Sequence, residues 1–521
     1  MSNPIHPRSV ELIYKDNGVS QILSHWLETQ GHGPEMRCGG RGLCRTCSVK
    51  VNGHEVKTCQ CKTSTLTSGR DTIDVPPKIK SENLHVVETF WSDPERNTIL
   101  TPRLGYGISV DIGTTTVVGA LWDLKTGDLI KTSSRPNAQR KFGDNVLSRI
   151  SKSLDAENGP LLLQQALVQD TLSPILVELM AEKTSIEGHR IGEQPILSCV
   201  LAGNPAMLQT LLGFSLRGLA TYPFKADFLD SQHFLASKLG LPWSFPFLLL
   251  PGCGPFVGAD ISAGVLSSSF LEQRGPSLFI DFGTNGEIVL KDANGHYSAS
   301  ATAAGPAFEG GRLSCGVAAN DEAVHHIEIQ HAQWKLLGRQ DHAKAYKGFA
   351  GSSYVDYMAE GLRSGWLNEM GRFNHREHLR IAHNSLGYDE ARHYLTEELY
   401  VSEVDIAELV KAKAAIQAGY NSLLREAGLK SNQLESVVVA GGFGFHLQLA
   451  NAITVGLLPN VPLNRFRVVG NSSLGGASQV LKNPSLLEKL DHFCKNVRVV
   501  ELNQLKSFED EYLDAMVFEL T

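Results

Sequence analysis

The 521-residue sequence predicts an α/β protein built as a small N-terminal domain followed by two related lobes. Three observations carry that expectation. Five of the nine cysteines fall within 24 residues, from Cys38 to Cys61. An apolar strand that runs into Asp and a Gly-Thr turn occurs twice, with a constant offset of 170 residues. A third apolar strand, Ser436–Ala440, ends in Gly441-Gly442-Phe443-Gly444 and leads into a helix.

Composition sets the outer limits. Apolar residues make up 42% and charged residues 20%, which suits buried cores and not a disordered chain. Forty-eight Lys+Arg against 55 Asp+Glu leave a net charge of −7, with no basic block, which argues against a nucleic-acid partner. The first residues lack an apolar secretory core, and every apolar stretch is broken well before membrane-spanning length. No membrane association and a cytoplasmic location are expected.

The first segment, residues 1–76, opens with a strand at Ser9–Tyr14. A helix over Val19–Gln30 follows, with Ile22, Leu23, Trp26 and Leu27 on one face and Gly31 as its stop. After the Cys-rich loop, Ser48–Lys57 reads as a hairpin turning at Asn52-Gly53. Residues 77–105, with several prolines and no sustained period, read as a linker. The remaining 106–521 divide into lobes of about 106–275 and 276–521.

The internal duplication aligns Asp111 with Asp281, Gly113 with Gly283, and Thr114 with Thr284. In each copy a second strand follows and ends at a glycine turn, Gly127 or Gly295. Turns of this kind offer N–H groups and hydroxyls to a phosphate. The carboxylate just before the turn can hold Mg²⁺ through water. Two such hairpins facing each other would grip the phosphates of one nucleotide from both sides. The late glycine pair would let an adenine or ribose approach the backbone closely. A P-loop is excluded, because no G-x4-G-K-[ST] is present.

The spacing Cys38-x5-Cys44-x2-Cys47-x11-Cys59 supplies four thiolates, which suit an iron–sulfur cluster or a tetrahedral zinc. Zinc ribbons usually present paired C-x2-C knuckles, and only one C-x2-C is present. The Gly-rich loop CGGRGLC resembles that of [2Fe–2S] ferredoxins of the adrenodoxin-like branch. Cys59 and Cys61 both lie in range of the fourth position. The TCQC context places Cys59 where ferredoxin-like domains carry their ligand, with Cys61 as the spare. Arg37, Arg41 and Arg45 surround the loop, either offsetting the anionic cluster or steering an acidic partner.

The repeated hairpin and AGGFG together resemble the nucleotide-binding fold of acetate and sugar kinases, Hsp70 and actin. That resemblance makes Asp111–Thr116 the first phosphate motif, Asp281–Glu287 the second, and Ala440–Gly444 the adenosine motif. Stretches 203–207 and 470–475 look like the superfamily's two connecting helices. A ferredoxin-like domain ahead of this ATPase resembles the reductive activators of corrinoid proteins. Pro251–Gly264, Ala301–Gly311 and Asp405–Leu424 carry longer matches to that family. The resemblance implies a β-grasp [2Fe–2S] domain, a linker and a two-lobed actin-like ATPase with duplicated ribonuclease H-like subdomains. The middle domain common in better-known members has no room in the 29-residue gap, which leaves the oligomeric state open.

By that resemblance the protein uses ATP and Mg²⁺ to pass an electron from its cluster to Co(II) of a corrinoid protein or corrinoid methyltransferase, restoring Co(I). An upstream electron donor is required. Asp111 and Asp281 would hold Mg²⁺ through water. Gly113, Thr114, Thr115, Thr116, Asn204, Gly283, Thr284 and Asn285 would meet the phosphates, and Gly441, Gly442 and Phe443 the adenosine. Asp281 or Glu287 would orient the attacking water, and the sequence does not choose between them. Two rival readings are a 2-hydroxyacyl-CoA dehydratase activator and a non-catalytic, ATP-regulated redox sensor. The N-terminal cysteine spacing speaks against the first of these.

Other residues carry plainer expectations. Cys199, Cys253, Cys315 and Cys494 read as ordinary buried or half-buried thiols. His325, His326, His331, His375 and His378 read as solvated surface. Glu309 either caps a turn near the nucleotide or serves the interface between lobes.

Overall fold

The computed structural model describes residues 10–16, 20–30, 32, 48–75, 102–143, 145–155, 158–181, 185–186, 189–190, 195–338, 346–383 and 389–519. Cys38, Cys44, Cys47, the three loop arginines and nearly all of the linker lie outside the described residues.

The N-terminal part is a four-stranded antiparallel sheet in the order Val10–Ile13, Thr72–Val75, Ser48–Val51, His54–Lys57. Asn52 and Gly53 turn the hairpin with φ of 50° and 81°, the paired left-handed values that an Asn-Gly turn accommodates. The helix is shorter than its apolar pattern predicts, covering Leu23–Thr29. Ile22 is drawn out of it into a bridge with Lys62, and the Leu23 and Ser24 amides donate to the Cys61 and Thr58 carbonyls. Leu23, Trp26 and Leu27 still form the buried face, against Tyr14, Val49, Val51, Ile73 and Val75.

Two six-stranded sheets follow, and they repeat one topology. The first runs Gln232–Leu235, Pro246–Leu249, Ile196–Gly203, Tyr106–Ile112, Thr116–Asp123, Leu129–Pro136. The second runs Phe466–Val468, Ser436–Ala440, Ser277–Phe282, Gly286–Lys291, Tyr297–Thr302, Arg498–Val499. In each, the duplicated strand starts an antiparallel meander of three and takes two parallel neighbours on its other side. Tyr106–Ile112 and Ser277–Phe282 are almost wholly buried, as strands covered on both faces must be. This is the duplicated actin-like arrangement the repeat predicts.

The link between the sheets differs from expectation in one respect. Helix Ser472–Lys482 does connect them: Leu474, Ala477, Val480 and Leu481 pack into the first sheet's core. Its partner, however, is helix Ala259–Ser267, not the stretch at 203–207. Ala259, Ala263 and Leu266 face the first core, while Ile261 and Val265 face the second sheet's inner cluster. Helix Pro205–Leu211 belongs to the first core alone. Small residues make the crossing possible. A Cβ on Gly476 would run into the Ala263 backbone, and one on Gly264 would lie 2.9 Å from both Ser472 Oγ and Phe279 Cζ.

Between helices Gly351–Arg363 and Glu403–Glu426 sits a three-stranded sheet of Arg380–His383, Asp389–Tyr394 and Tyr400–Ser402. Two histidines depart from the surface expected of them. His325 is buried at 3% exposure, with Nε2 2.8 Å from the Asn320 carbonyl. His326 Nδ1 lies 2.9 Å from Oδ2 of the buried Asp356. Among the described residues no helix is long and apolar enough to cross a membrane.

The crossing yields a stability prediction. Gly476→Ala should destabilise the protein by about 1–3 kcal/mol in urea unfolding, because overpacking outweighs the roughly 1 kcal/mol that Ala gains in a helix. An increase in stability would mean that the helices do not meet at this point.

Candidate functional site

The two duplicated turns meet across the cleft between the sheets. Asp111 closes one central strand and Asp281 sits at the equivalent place in the other. Between the turns stands Glu309, at the end of the short helical turn Pro306–Glu309. Thr115 Oγ1 donates to its Oε2 at 3.1 Å, and Thr284 Oγ1 lies 3.2 Å from Oε1 and 3.3 Å from Oε2. One carboxylate thus ties a hydroxyl from each turn. Both readings of Glu309 hold at once, since it lies at the turns and joins the lobes.

The first turn is held from behind. Asn204 caps helix Pro205–Leu211, its Oδ1 accepting from the Met207 amide, while its Nδ2 donates to Thr114 Oγ1 at 3.0 Å. Asn471 does the same at helix Ser472–Lys482, accepting from Leu474 N and donating to Asp111 Oδ2 at 3.0 Å. Ser473 Oγ donates to Asp111 Oδ1 at 2.7 Å. The fully buried Arg149 guanidinium reaches the Thr114 carbonyl at 2.6 Å, and Asn137 Nδ2 donates to the Gly113 carbonyl at 3.0 Å. Gly113 must be glycine here, because a Cβ would strike the Thr116 carbonyl. Thr116 is buried and begins the next strand, so its side chain closes the turn from inside.

In the second turn the Gly283 amide donates to the Asn285 carbonyl at 2.9 Å, and Thr284 and Glu287 are buried. Gly441 has φ +89°, and a Cβ there would meet the Phe282 carbonyl and lie 2.7 Å from Asp281 Oδ1. A Cβ on Gly442 would meet nothing within 4 Å, so that residue opens the wall of the cleft. Phe443 departs from its expected role of facing a ligand. Its ring stacks on Phe308 at 4.9 Å and meets Phe282 edge-on at 5.6 Å, which makes it the backing of the glycine turn.

Four carboxylates share this cleft, and one of them, Asp260, is absent from the sequence-derived set. Burial first, then Asp260 and Asp111, push the Asp281 carboxyl up to about 7. Asp260 is raised by burial and by Asp111, and Glu287 by burial, Asp260 and Asp281. Burial also raises Asp111, opposed by its bonds from Ser473 and Asn471. Such mutual repulsion is what a cation relieves. Among the described residues no three His, Cys, Asp or Glu groups are close enough to share a metal directly. The arrangement therefore fits a Mg²⁺ ion held largely through its water shell. Asp260, Asn471 and Ser473 were legible only as polar residues opening small-residue helices.

For the cluster, the visible part of the donor set fits. Cys59 is buried, and Ser48, the residue after the loop, pairs with Lys57 two positions before Cys59. The chain therefore leaves the loop beside that cysteine. Cys61 is half-buried, with its sulfur 3.8 Å from the Lys62 carbonyl and 3.6 Å from Thr65 Oγ1.

Comparison with known proteins places this geometry. The model described as the C-terminal domain of RACo, the ASKHA domain, matches residues 275–521. The model described as the RACo middle region matches 106–273. The chain belongs to the RACo family. The middle-region match falls on the sheet that carries Asp111, not on a segment inserted ahead of it. Corrinoid activation enzyme RamQ of Eubacterium limosum is 32% identical over 394 residues, 72% of this chain and 64% of that protein. The chain thus spans less than two thirds of that relative's length. The [Co(II) methylated amine-specific corrinoid protein] reductase of Methanosarcina barkeri is 24% identical over 441 residues, 78% of this chain and 76% of its own. The solved structure of a reductive activator for corrinoid, iron-sulfur protein matches with TM-score 0.69 and 30% identity, covering 80% of this chain and 67% of that one.

The carboxylate cluster predicts a pH dependence. The folded protein keeps a proton on Asp281 to about pH 7, whereas an unfolded Asp releases it near pH 4. Between those values the folded state binds more protons, so its stability falls as pH rises. Ligand-free Asp281→Asn should melt about 2–4 °C higher than wild type at pH 8, with the difference closing at pH 5. A variant less stable than wild type at pH 8 would show that Asp281 is not under repulsion.

Proposed function

We propose that the protein is an ATP-dependent reductive activator that passes one electron to Co(II) of a corrinoid protein or corrinoid methyltransferase, restoring Co(I). The observation that carries this is the pair of turns meeting at one carboxylate in a RACo-family chain. The corrinoid activation and reductase activities of the relatives support the corrinoid partner. A four-thiolate [2Fe–2S] centre on Cys38, Cys44, Cys47 and Cys59 would supply one-electron storage, replenished by an upstream donor.

The residues of the cleft bind and orient. Thr114, Thr115, Thr284 and Asn285, with the turn amides of Gly113 and Gly283, would take the phosphates from two sides, displacing the Glu309 carboxylate from Thr115 and Thr284. Asp111 and Asp281 would hold Mg²⁺ through water, with Asp260 adding charge. Gly441 and Gly442 would let the adenosine lie against the backbone. Asp281 and Glu287 are both raised, first by burial and then by their carboxylate neighbours, and either would orient the attacking water. Closure of the lobes on the nucleotide would favour the complex in which cobalt is easier to reduce, a population shift.

Three measurements test this. Asp111→Ala and Asp281→Ala should each lower ATP hydrolysis on the order of 10²-fold while the visible cluster spectrum stays unchanged. Undiminished hydrolysis in both would make the turns purely structural. Anaerobically purified protein should hold about two iron and two sulfide per chain. Cys59→Ser should lose them and Cys61→Ser keep them; the reverse moves the fourth ligand. Finally, ATP should raise the yield of Co(I) on added corrinoid protein while leaving the isolated cluster's potential nearly unchanged. A large ATP-induced fall in that potential without corrinoid protein would favour direct energisation of the cluster.

A further inference from the structure

Cys253 and Cys494 are 241 residues apart in sequence, yet their sulfurs lie 3.1 Å apart. The sequence gives no reason to group them. Cys253 stands in the loop that joins strand Pro246–Leu249 to helix Ala259–Ser267. Cys494 stands in helix Leu486–Asn496, directly after helix Ser472–Lys482. The two thiols therefore join the segment before one crossing helix to the segment after the other.

The site is rigid. The Cys253 and Gly254 amides both donate to the Val257 carbonyl, at 2.8 and 3.0 Å, and Gly252 N donates to the Leu229 carbonyl at 2.8 Å. Gly254 lies so close to Val499 that a Cβ there would be 3.0 Å from its methyl group. Cys494 Sγ lies 3.6 Å from the Pro251 carbonyl, so the loop and the helix touch at more than the thiols. Both cysteines are half-buried, whereas Cys199 is fully buried in the first core. The bond to Cys494, then burial and the Asp260 charge, hold the Cys253 thiol well above its usual range. Closing 3.1 Å to a bond of about 2.05 Å needs only a movement of roughly 1 Å. Seven residues beyond Cys253 the same segment delivers Asp260 into the carboxylate cluster, and the two groups interact electrostatically.

We propose that Cys253 and Cys494 are a reversible dithiol–disulfide pair that, when oxidised, fastens the loop ahead of helix Ala259–Ser267 to helix Leu486–Asn496 and slows the nucleotide cycle of the cleft. The effect on the cleft rests on the nucleotide reading given above, whereas the bond itself does not. The oxidant is a low-molecular-weight disulfide. One protein thiolate attacks a sulfur of the reagent and releases its first thiol, leaving a mixed disulfide. The second protein thiolate attacks that bond and releases the other reagent thiol. Two electrons pass to the reagent, and the two protein protons end on its departing thiols.

The test uses the anaerobically purified holoprotein incubated with oxidised glutathione, then digested without reductant and weighed by mass spectrometry. A peptide pair joined through Cys253 and Cys494 should form, two hydrogens lighter than its parts, and dithiothreitol should separate it. ATP hydrolysis should fall several-fold on oxidation and recover on reduction. Cys494→Ser and Cys253→Ser should hydrolyse ATP at the reduced wild-type rate before and after the reagent. Absence of the joined peptide overturns the pair. A joined peptide with unchanged hydrolysis overturns its control of the cleft. If the reduced wild type hydrolyses no ATP, the nucleotide reading fails, while the joined peptide still decides the pair.

Discussion

Everything in the cleft depends on how closely helices Ala259–Ser267 and Ser472–Lys482 cross. Their contact runs through Gly264 and Gly476, where no side chain fits. Each helix lends apolar residues to more than its own sheet's packing: Leu474, Ala477, Val480 and Leu481 fill the first core from a chain segment that follows the second sheet. Ser267 Oγ donates to the Ser472 carbonyl at 2.7 Å inside that contact, and the hydroxyls of Ser109 and Ser478 meet at 2.8 Å where helix Ser472–Lys482 lies on strand Tyr106–Ile112. Buried polar groups of this kind are costly unless paired, so they admit one register of the helices. That register sets Asp260 and Asn471, at the two helix starts, beside Asp111.

The cleft is consequently a place of stored repulsion. Asp111, Asp260, Asp281 and Glu287 are crowded into a half-buried space with no cationic side chain among the groups that raise or lower them. Asn471 and Ser473 stabilise only the Asp111 carboxylate, each such bond to a charged group contributing about 1.5–3 kcal/mol. The remaining charge is left for a cation to satisfy. Glu309 adds a fifth carboxylate, which accepts from the Thr115 and Thr284 hydroxyls, the groups a phosphate would have to take from it.

The N-terminal sheet uses a different device. Its helix begins where the Leu23 and Ser24 amides donate to the Cys61 and Thr58 carbonyls, which locks the Cys59 turn onto the helix. Trp26, packed edge-on against Tyr14 at 5.3 Å, anchors the other end through its Nε1 bond to the Lys15 carbonyl. A small domain with eight buried apolar residues in this core among the described residues gains much from such fixed points.

Local pattern alone determined the duplicated hairpins, the Asn-Gly turn, the glycine pair at Gly441-Gly442 and the cysteine spacing. Each is a short-range demand of backbone geometry or ligand chemistry, written in adjacent residues. Asn204 is expected on the phosphates, and the structure shows it capping helix Pro205–Leu211 and holding Thr114. Partnerships between separate segments were not legible: Asp260 with Asp111, Asn471 with Asp111, Cys253 with Cys494, Glu309 between two threonines. A chain carries no local mark of which helix its neighbour will cross, so the resemblance assigns 203–207 as a connecting helix where 259–267 fills that place. His325 likewise reads as surface, yet it is buried with its ring on the Asn320 carbonyl. Tertiary packing decided these matters, because the free energy that selects them belongs to contacts made only when both sheets are in place.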